Sequence, residues 1–335
     1  MTGPAKNAKG TETMLRMWML LRNVINSFLK KGTSYAILVV IVLASVIIIP
    51  SFFRTQNLIN ISEQAAPLLI VSIGQTFAVL VSGIDLSVAS VLSCTNIILA
   101  STTGGSNERA MPITGLCLVF GFGVGLLNGW CIVKRRVPAF IMTLGMAIVL
   151  EGGRLVYTKG SAYGYIPSII QLVSKGRGGI FPFYIFIPIV IAVAALILLK
   201  RSAFGREVYA IGGNVKAAFI SGVRTDRVRM ACYVICSVMA VISGILLSGY
   251  LGVADNWAAK GYDLDSIAAV AVGGTAFSGG IGGVGGTIAG VLLIVLISNF
   301  LLFFGLGIET QLIGKAFIVI LAVSVYIRLK NIRLS

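Results

Sequence analysis

The stretch Gly212-Gly213-Asn214-Val215-Lys216-Ala217-Ala218-Phe219-Ile220-Ser221-Gly222 is a short polar motif in an otherwise hydrophobic chain. A glycine pair, an asparagine cap, a short helical stretch and a closing glycine predict one small helix between two turns. It lies in the longest polar interruption of the sequence, residues 200–229, which contains seven Lys or Arg residues and only two acidic residues. A helix this short has no core of its own to bury, so we expect it to dock on a partner outside the membrane.

The composition of the whole chain indicates a polytopic membrane protein. Hydrophobic residues make up 57% of its 335 residues and charged residues only 11%, with a mean hydropathy of +0.98, whereas soluble domains carry about 25% charged residues. The net charge of +16 is explained by cationic cytoplasmic loops, so no nucleic-acid partner is expected. All five cysteines fall in apolar runs, where they pack as small residues. Since the sequence has no histidine, histidine-based catalysis and histidine metal sites are excluded.

Ten apolar segments approach the length of about 20 residues that a membrane-spanning helix needs. They cover roughly residues 35–50, 63–81, 86–101, 111–133, 137–156, 183–200, 230–250, 265–279, 286–304 and 310–328. The fold class predicted is therefore all-α, with about ten transmembrane helices in a domain of residues 35–335. The third and eighth segments are short, which predicts tilted, broken or re-entrant helices. Residues 1–34 are predicted to be a cytoplasmic arm that contains an interfacial amphipathic helix at residues 14–29.

The distribution of basic residues predicts the topology. With the N-terminus in the cytoplasm and ten alternating spans, most of the 27 Lys and Arg residues fall on the inner side. The basic clusters are residues 1–34, 134–136, 200–229 and 328–333. All of them share one side, as the positive-inside rule requires. An even number of spans and cytoplasmic N and C termini follow, with residues 200–229 as a cytoplasmic loop.

Glycines recur at four-residue spacing in two of the apolar segments. The two sets are Gly121, Gly125 and Gly129, and Gly282, Gly286 and Gly290. Small residues at this spacing allow helix backbones to approach closely in lipid, which predicts tight helix packing at both places.

The segment Gly280-Ile281-Gly282-Gly283-Val284-Gly285 fits the GxGxxG pattern. A dinucleotide site would need a preceding strand, whereas this context is apolar and of membrane length. We interpret Gly280, Gly282, Gly283 and Gly285 as a close cytoplasmic turn between the eighth and ninth spans, and expect no cofactor on this chain. Because the sequence also lacks a phosphate-binding loop of the GxxxxGK[ST] type, an ATPase that drives transport would be a separate chain.

Three polar residues within or between the apolar runs are candidates for a substrate pathway. Asp85 is an acid at membrane depth, which favours function by default; the alternative, which we favour, is a helix N-cap stabilised by the free amides of the following helix. Gln75 and Asn128 lie in the middle of their spans. Either they line the pathway or they hydrogen-bond between helices, and the sequence leaves both open.

Four further charged residues have a structural interpretation. Glu151 and Arg154 are three residues apart near the outer end of the fifth span, a spacing at which they can pair with each other. Asp263 and Asp265 open the eighth span, where they are predicted to stabilise the helix dipole.

Four pieces of the sequence together resemble the ribose-type sugar permeases of bacterial ABC importers, over roughly residues 50–330. They are Ser82-Gly83-Ile84-Asp85-Leu86-Ser87-Val88; Val137-Pro138-Ala139-Phe140-Ile141-Met142-Thr143-Leu144-Gly145; residues 204–214 with Ala217-Ala218 and Ser221-Gly222; and residues 263–270 with 272–275. The resemblance implies a multi-pass transport subunit of the bacterial inner membrane, not an enzyme. It also implies a second permease copy, cytoplasmic ABC ATPase subunits that bind ATP and Mg, and a periplasmic sugar-binding protein.

The coupling loop carries the most specific part of this resemblance. Residues 217–222 are similar to the Ala-Ala-x-x-x-Gly part of the motif through which ABC importers contact their ATPase. The residues implied in ATPase coupling are Asn214, Lys216, Ala217, Ala218, Ser221 and Gly222. The sequence departs from the family pattern at Lys216, where importers often carry Glu, and at residues 255–265. The resemblance therefore does not identify the solute, which could be a monosaccharide, a sugar alcohol or a sugar-like signal molecule.

Two alternative functions remain open. A related ABC permease for nucleosides would share these motifs. An ion-gradient-driven secondary transporter would need ionisable groups at the membrane midplane, and Asp85 is its main candidate. A membrane enzyme is disfavoured because no histidine, cysteine or carboxylate constellation occurs at chemical spacing.

Overall fold

A computed structural model of the protein describes residues 54–178 and 181–303, together with residues 310, 313, 314, 316 and 317. The predicted N-terminal arm with its amphipathic helix, the first span and most of the tenth lie outside the described residues, as do the termini. The cytoplasmic termini and the total of ten spans therefore stay predictions.

The regular secondary structure of the described chain is helical, apart from one small hairpin and an isolated β-bridge between Tyr165 and Val253. Its helices are α1 (Thr55–Leu80), α2 (Val88–Thr103), α3 (Ala110–Lys134), α4 (Ala139–Thr158), α5 (Ser168–Lys175), α6 (Phe183–Arg201), α7 (Ala203–Gly213), α8 (Val215–Ile220), α9 (Thr225–Leu251), α10 (Tyr262–Val272) and α11 (Val284–Phe303). Strand β1 (Arg177–Gly178) pairs antiparallel with β2 (Phe181–Pro182). Within the described part, six helices are long and apolar enough to cross a membrane, namely α1, α3, α4, α6, α9 and α11. The predicted class of all-α polytopic membrane protein is confirmed.

Helix α9 lies at the centre of the fold and packs against α1, α2 and α3. Its contact with α3 is made through the first glycine set. A Cβ added to Gly125 would lie 2.7 Å from Val234 Cα, and one added to Gly129 would lie 3.0 Å from Met230 Cα. These distances leave no room for a side chain, so the predicted backbone-to-backbone packing is confirmed here.

The second glycine set divides between a helix contact and a turn. Gly286 and Gly290 face α10, where an added Cβ would lie 1.9 Å from the carbonyl oxygens of Gly273 and Ala269 respectively. Gly282 precedes α11 and has a φ of +111°. The prediction that all three glycines share a helix interface is therefore wrong for Gly282, which belongs to the turn.

The two short apolar segments form short helices, and only the eighth is broken within its predicted bounds of residues 265–279, since α10 ends at Val272. Helix α10 has 11 residues and rises about 16 Å, against the roughly 30 Å of a bilayer core. The non-helical segment before it, residues 252–261, runs along α2: the Asp255 amide donates to Asn96 Oδ1 (2.7 Å), and the Ala259 amide donates to Ser93 Oγ (3.3 Å). Helix α2 has 16 residues and begins only at Val88, after the non-helical residues 81–87.

Contacts between loops define two ends of the molecule. At one end, the Lys134 ammonium lies 2.7 Å from the Asp226 carboxylate, and the Gly280 amide donates to the Leu80 carbonyl (3.0 Å). At the other end, the Ile169 amide donates to Asn107 Oδ1 (3.0 Å). The described segments thus alternate in direction as predicted, and the basic clusters at 134–136 and 200–229 share one end, called the basic end below.

Candidate functional site

The predicted small helix at the basic end is α8, and its boundaries follow from side-chain capping. Asn214 ends α7 and begins α8, because its extended backbone leaves the first helix while its Oδ1 accepts the Ala217 amide (3.0 Å). Gly222 closes the helix with a φ of +86°, a conformation that favours glycine, and its amide donates to the Phe219 carbonyl (3.0 Å). The short helix and its closing turn are therefore as predicted, whereas Gly212 and Gly213 end helix α7 instead of forming a turn.

Helix α8 and its flanking residues bury one of the predicted coupling residues and expose the others. Ala218 is 4% exposed and packs in an apolar cluster with Ile211 and Val228. Two large apolar side chains point outward: Phe219 is 68% exposed and Ile220 is 84% exposed. The other predicted coupling residues are all exposed, namely Asn214, Lys216, Ala217, Ser221 and Gly222. The surface that α8 offers to a partner is thus basic and apolar, whereas Ala218 attaches the helix to the rest of the chain.

The coupling segment meets the predicted glycine turn at a junction formed by the end of α7, residues 80–82 and residues 278–283. A Cβ on Gly212 would lie 2.1 Å from the Leu80 carbonyl oxygen and 2.2 Å from the Gly280 nitrogen. Ser82 Oγ donates to the Ser278 carbonyl (2.6 Å), and the Tyr209 hydroxyl donates to the Gly282 carbonyl (2.9 Å). Partial burial raises the pKa of the Tyr209 phenol above its ordinary value, so this donor is neutral at physiological pH.

The predicted turn glycines occupy two kinds of position. Gly280, Gly282 and Gly283 all have positive φ values in the link between α10 and α11, whereas Gly285 lies inside α11. They form a close turn against α7, and its cytoplasmic location stays a prediction.

The three predicted pathway residues, which are distant in sequence, form one buried cluster at the start of α2. Asp85 Oδ1 accepts the amide of Ser87 (2.9 Å) and also its hydroxyl, and Ser87 Oγ accepts Asn128 Nδ2 (3.0 Å). The Gln75 amide pairs with the backbone of Asp85, donating to its carbonyl and accepting its amide, each at 3.1 Å. Gln75, Asp85 and Asn128 are all fully buried.

The prediction that Asp85 is the N-cap of α2 is wrong, because Ser87 occupies that position and α2 has no side-chain cap. The Asp85 carboxylate instead holds the turn that leads into α2 by accepting the Ser87 amide. The cluster also contains unused polar atoms: Asp85 Oδ2, Asn128 Oδ1 and the Tyr233 hydroxyl have no hydrogen-bond partner among the described residues. The pathway assignment stays a prediction. Within the described ranges, no three Cys, Asp or Glu side chains are grouped to hold a metal ion.

Sequence reasoning missed the environment of Arg154. Glu151 and Arg154 do not form the ion pair that their spacing allowed. Arg154 is only 6% exposed, and its Nε and Nη1 have no partner in the part of the chain that the structure describes. Its guanidinium lies 5.9 Å from the ring centroid of Trp257. The sequence did contain a signal, because two charged residues within an apolar span are unusual. Their three-residue spacing alone favoured an ion pair between them.

Comparisons with known proteins agree with this architecture. The ribose import permease protein RbsC of Escherichia coli (strain K12) is 36% identical over 294 residues, covering 87% of this chain and 91% of that protein. RbsC of Bacillus subtilis (strain 168) is 34% identical over 300 residues, covering 88% and 91%. The galactose/methyl galactoside import permease protein MglC of Haemophilus influenzae is 33% identical over 328 residues, covering 92% and 97%.

No solved structure matches the chain. The model of one family, described as the permease component of the branched-chain amino acid transport system, matches residues 57–325. Because this match covers most of the chain, and because its helices have the length and polarity of membrane spans, the chain belongs to this family of transport-system permease components.

Proposed function

We propose that the protein is the membrane-spanning permease subunit of an ATP-binding-cassette importer in the bacterial inner membrane. It moves a monosaccharide or similar small polyhydroxylated solute that a periplasmic binding protein delivers. Support for the sugar comes from relatives named for the import of ribose and of galactose, which this chain matches over nearly its whole length. The chain is a transport subunit. Hydrolysis of ATP, with its Mg ion, takes place on separate ATPase chains.

The observation that carries the proposal is the exposed surface of α8. A six-residue helix whose outermost side chains are Phe219 and Ile220 leaves apolar area in water unless a partner covers it. Its basic surroundings favour a cytoplasmic position, where an ATPase subunit would dock. Apolar and aromatic side chains at the centre of a small contact supply most of its binding energy.

The junction offers a route from this docking surface to the spans. Gly212 in α7 touches the backbone of both Leu80 and Gly280, so a displacement of α7 and α8 presses directly on the end of α1 and on the turn before α11. Packed contacts of this kind transmit rigid-body movements of helices. ATP-driven closure of the ATPase pair would thereby switch the permease between inward-open and outward-open states, working as a dimer with a second permease copy.

The proposal is tested by co-expressing the chain with the ATPase and binding-protein genes found beside it. We expect Phe219→Ala with Ile220→Ala to lower co-purification of the ATPase about tenfold or more and to abolish ATP-dependent sugar uptake. The thermal stability of the purified chain should not change, because both side chains are exposed. Phe186→Ala is the matched control, since Phe186 is 64% exposed on the apolar helix α6 and should retain ATPase binding and uptake.

Two outcomes would contradict the proposal. Normal ATP-dependent uptake in the Phe219/Ile220 variant would remove α8 as the coupling element. Uptake that survives ATP depletion but collapses with the ion gradient would favour the secondary transporter. Competition separates the solute classes: excess unlabelled ribose or galactose should block uptake, whereas block by leucine or by a nucleoside alone would assign another solute.

A further inference from the structure

A cavity of about 200 Å³ with a mixed polar and apolar lining lies between α2, α4 and the segment 252–261. Besides Asn256, its polar side chains are those of Ser90, Ser93, Glu151, Arg154, Lys260 and Asp263. It contains none of the coupling residues, and of the buried cluster around Asp85 only the neighbouring Leu86 reaches it. It is therefore a separate feature of the fold.

The non-helical segment 252–261, which precedes the eighth apolar segment, forms one wall of this cavity. The chain leaves α9 at Gly252 and returns beside Asn96 and Ser93 of α2 before α10 begins at Tyr262. Non-helical backbone at membrane depth is tolerated where it lines a cavity or is buried in protein. Buried Asn256 fixes the segment to α4, since its Nδ2 donates to Thr158 Oγ1 (3.1 Å) and to the Gly160 carbonyl (3.3 Å). The cavity wall is thus anchored on both sides.

Two unpaired nitrogen atoms of the Arg154 guanidinium point to a ligand. The side chain is 94% buried, yet Nε and Nη1 have no hydrogen-bond partner among the described residues. On its other side Arg154 borders a mostly apolar groove, whose polar side chains are those of Cys94 and Tyr157. A buried donor left unsatisfied destabilises the folded chain. Oxygen atoms of a ligand in the cavity would satisfy these two donors.

The remaining walls determine the kind of ligand. The charged side chains are two cations, Arg154 and Lys260, and two acids, Glu151 and Asp263, so the cavity has no net charge to select an ion. Trp257 lines the same space with 51% of its surface exposed. An aromatic face packs against the C–H face of a sugar ring, while charged and amide groups bond to its hydroxyls.

We propose that this cavity is a low-affinity subsite for a neutral monosaccharide or similar polyol on its way through the permease. Arg154 donates to hydroxyl oxygens, Glu151 and Asp263 accept hydroxyl protons, and Trp257 packs against the ring. The inference rests on the proposed function and adds to it the residues that touch the solute. Weak binding suits a transport intermediate, because the solute must also leave.

Fluorescence of Trp257 tests binding directly. The sequence has three tryptophans, so a Trp18→Phe, Trp130→Phe variant of the full chain reports on Trp257 alone. We expect a saturable change with a millimolar midpoint for at least one of D-ribose, D-xylose, D-galactose and myo-inositol. Arg154→Gln should weaken this binding about tenfold, whereas Arg109→Gln, which changes an exposed arginine, should leave it unchanged. No saturable response to any of the four, an unaltered midpoint in Arg154→Gln, or a response to ribose 5-phosphate alone would overturn the proposal.

Transport supplies the second readout. In cells that carry the neighbouring ATPase and binding-protein genes, Arg154→Gln and Trp257→Ala should lower uptake at limiting sugar about tenfold while ATPase co-purification stays normal. Trp257→Phe should restore part of the uptake, since it keeps an aromatic face. Full uptake in both variants would exclude the subsite. A failure of the proposed importer function would give a different result. The wild type would then show no ATP-dependent uptake, while the purified chain would still bind sugar.

Discussion

At the scale of single residues, the clearest constraint lies at the junction. A Cβ on Gly212 would collide with the backbone of Leu80 and Gly280, whereas one on the adjacent Gly213 would have no atom within 4 Å. We predict that Gly212→Ala destabilises the chain by about 1–3 kcal/mol, the usual cost of overpacking, and uncouples ATP hydrolysis from uptake. Gly213→Ala should leave both properties intact. Thermal melts of the two purified variants and uptake assays test this prediction. Equal melting temperatures and equal uptake would show that the junction accommodates an added methyl group at Gly212.

Asp85 allows its two interpretations to be separated. Asp85→Asn keeps an Oδ1 that accepts the Ser87 amide, whereas Asp85→Ala removes the acceptor from a fully buried site. If Asp85 acts by holding the turn before α2, the alanine variant loses about 1–3 kcal/mol of unfolding free energy, and the asparagine variant retains stability and uptake. A stable Asp85→Asn protein without uptake would instead assign the carboxylate a charge-dependent role in transport. Parallel stability and uptake measurements decide between them.

At the scale of elements, the α3–α9 contact offers a matched pair on one helix. A Cβ on Gly125 would lie 2.8 Å from the Tyr233 carbonyl oxygen, whereas Gly123 is exposed with open space around it. We predict that Gly125→Ala lowers the melting temperature of the purified chain and Gly123→Ala does not, because only the first forces the two backbones apart. Identical melting temperatures would mean that this interface can separate without cost.

The elements also show how far sequence reasoning extends. The boundaries of α8 were predictable because an asparagine cap and a closing glycine act locally, and the glycines at Gly121, Gly125 and Gly129 carried their own spacing signal. The burial of Ala218 was not predictable, since it depends on α7 and α9 meeting beneath it. The surroundings of Arg154 were also not predictable from the sequence. Its i, i+3 spacing from Glu151 suggested a partner on α4, whereas residues of α2 and of the segment 252–261 also surround it in the structure.

At the scale of the whole molecule, the alternation of the described segments makes the topology testable. The structure groups Lys134, Asp226 and α8 at one end, and Asn107 and Ser168 at the other, while the positive-inside rule assigns the basic end to the cytoplasm.

Four native cysteines are buried and Cys131 is partly exposed, so Cys131→Ser gives a background that a membrane-impermeant thiol reagent should barely label. In that background, Asn107→Cys and Lys159→Cys should react in spheroplasts, whereas Lys216→Cys and Arg135→Cys should react only in inverted vesicles. If Lys216→Cys were labelled from outside, the predicted orientation would be wrong. A cytoplasmic ATPase could then not contact α8.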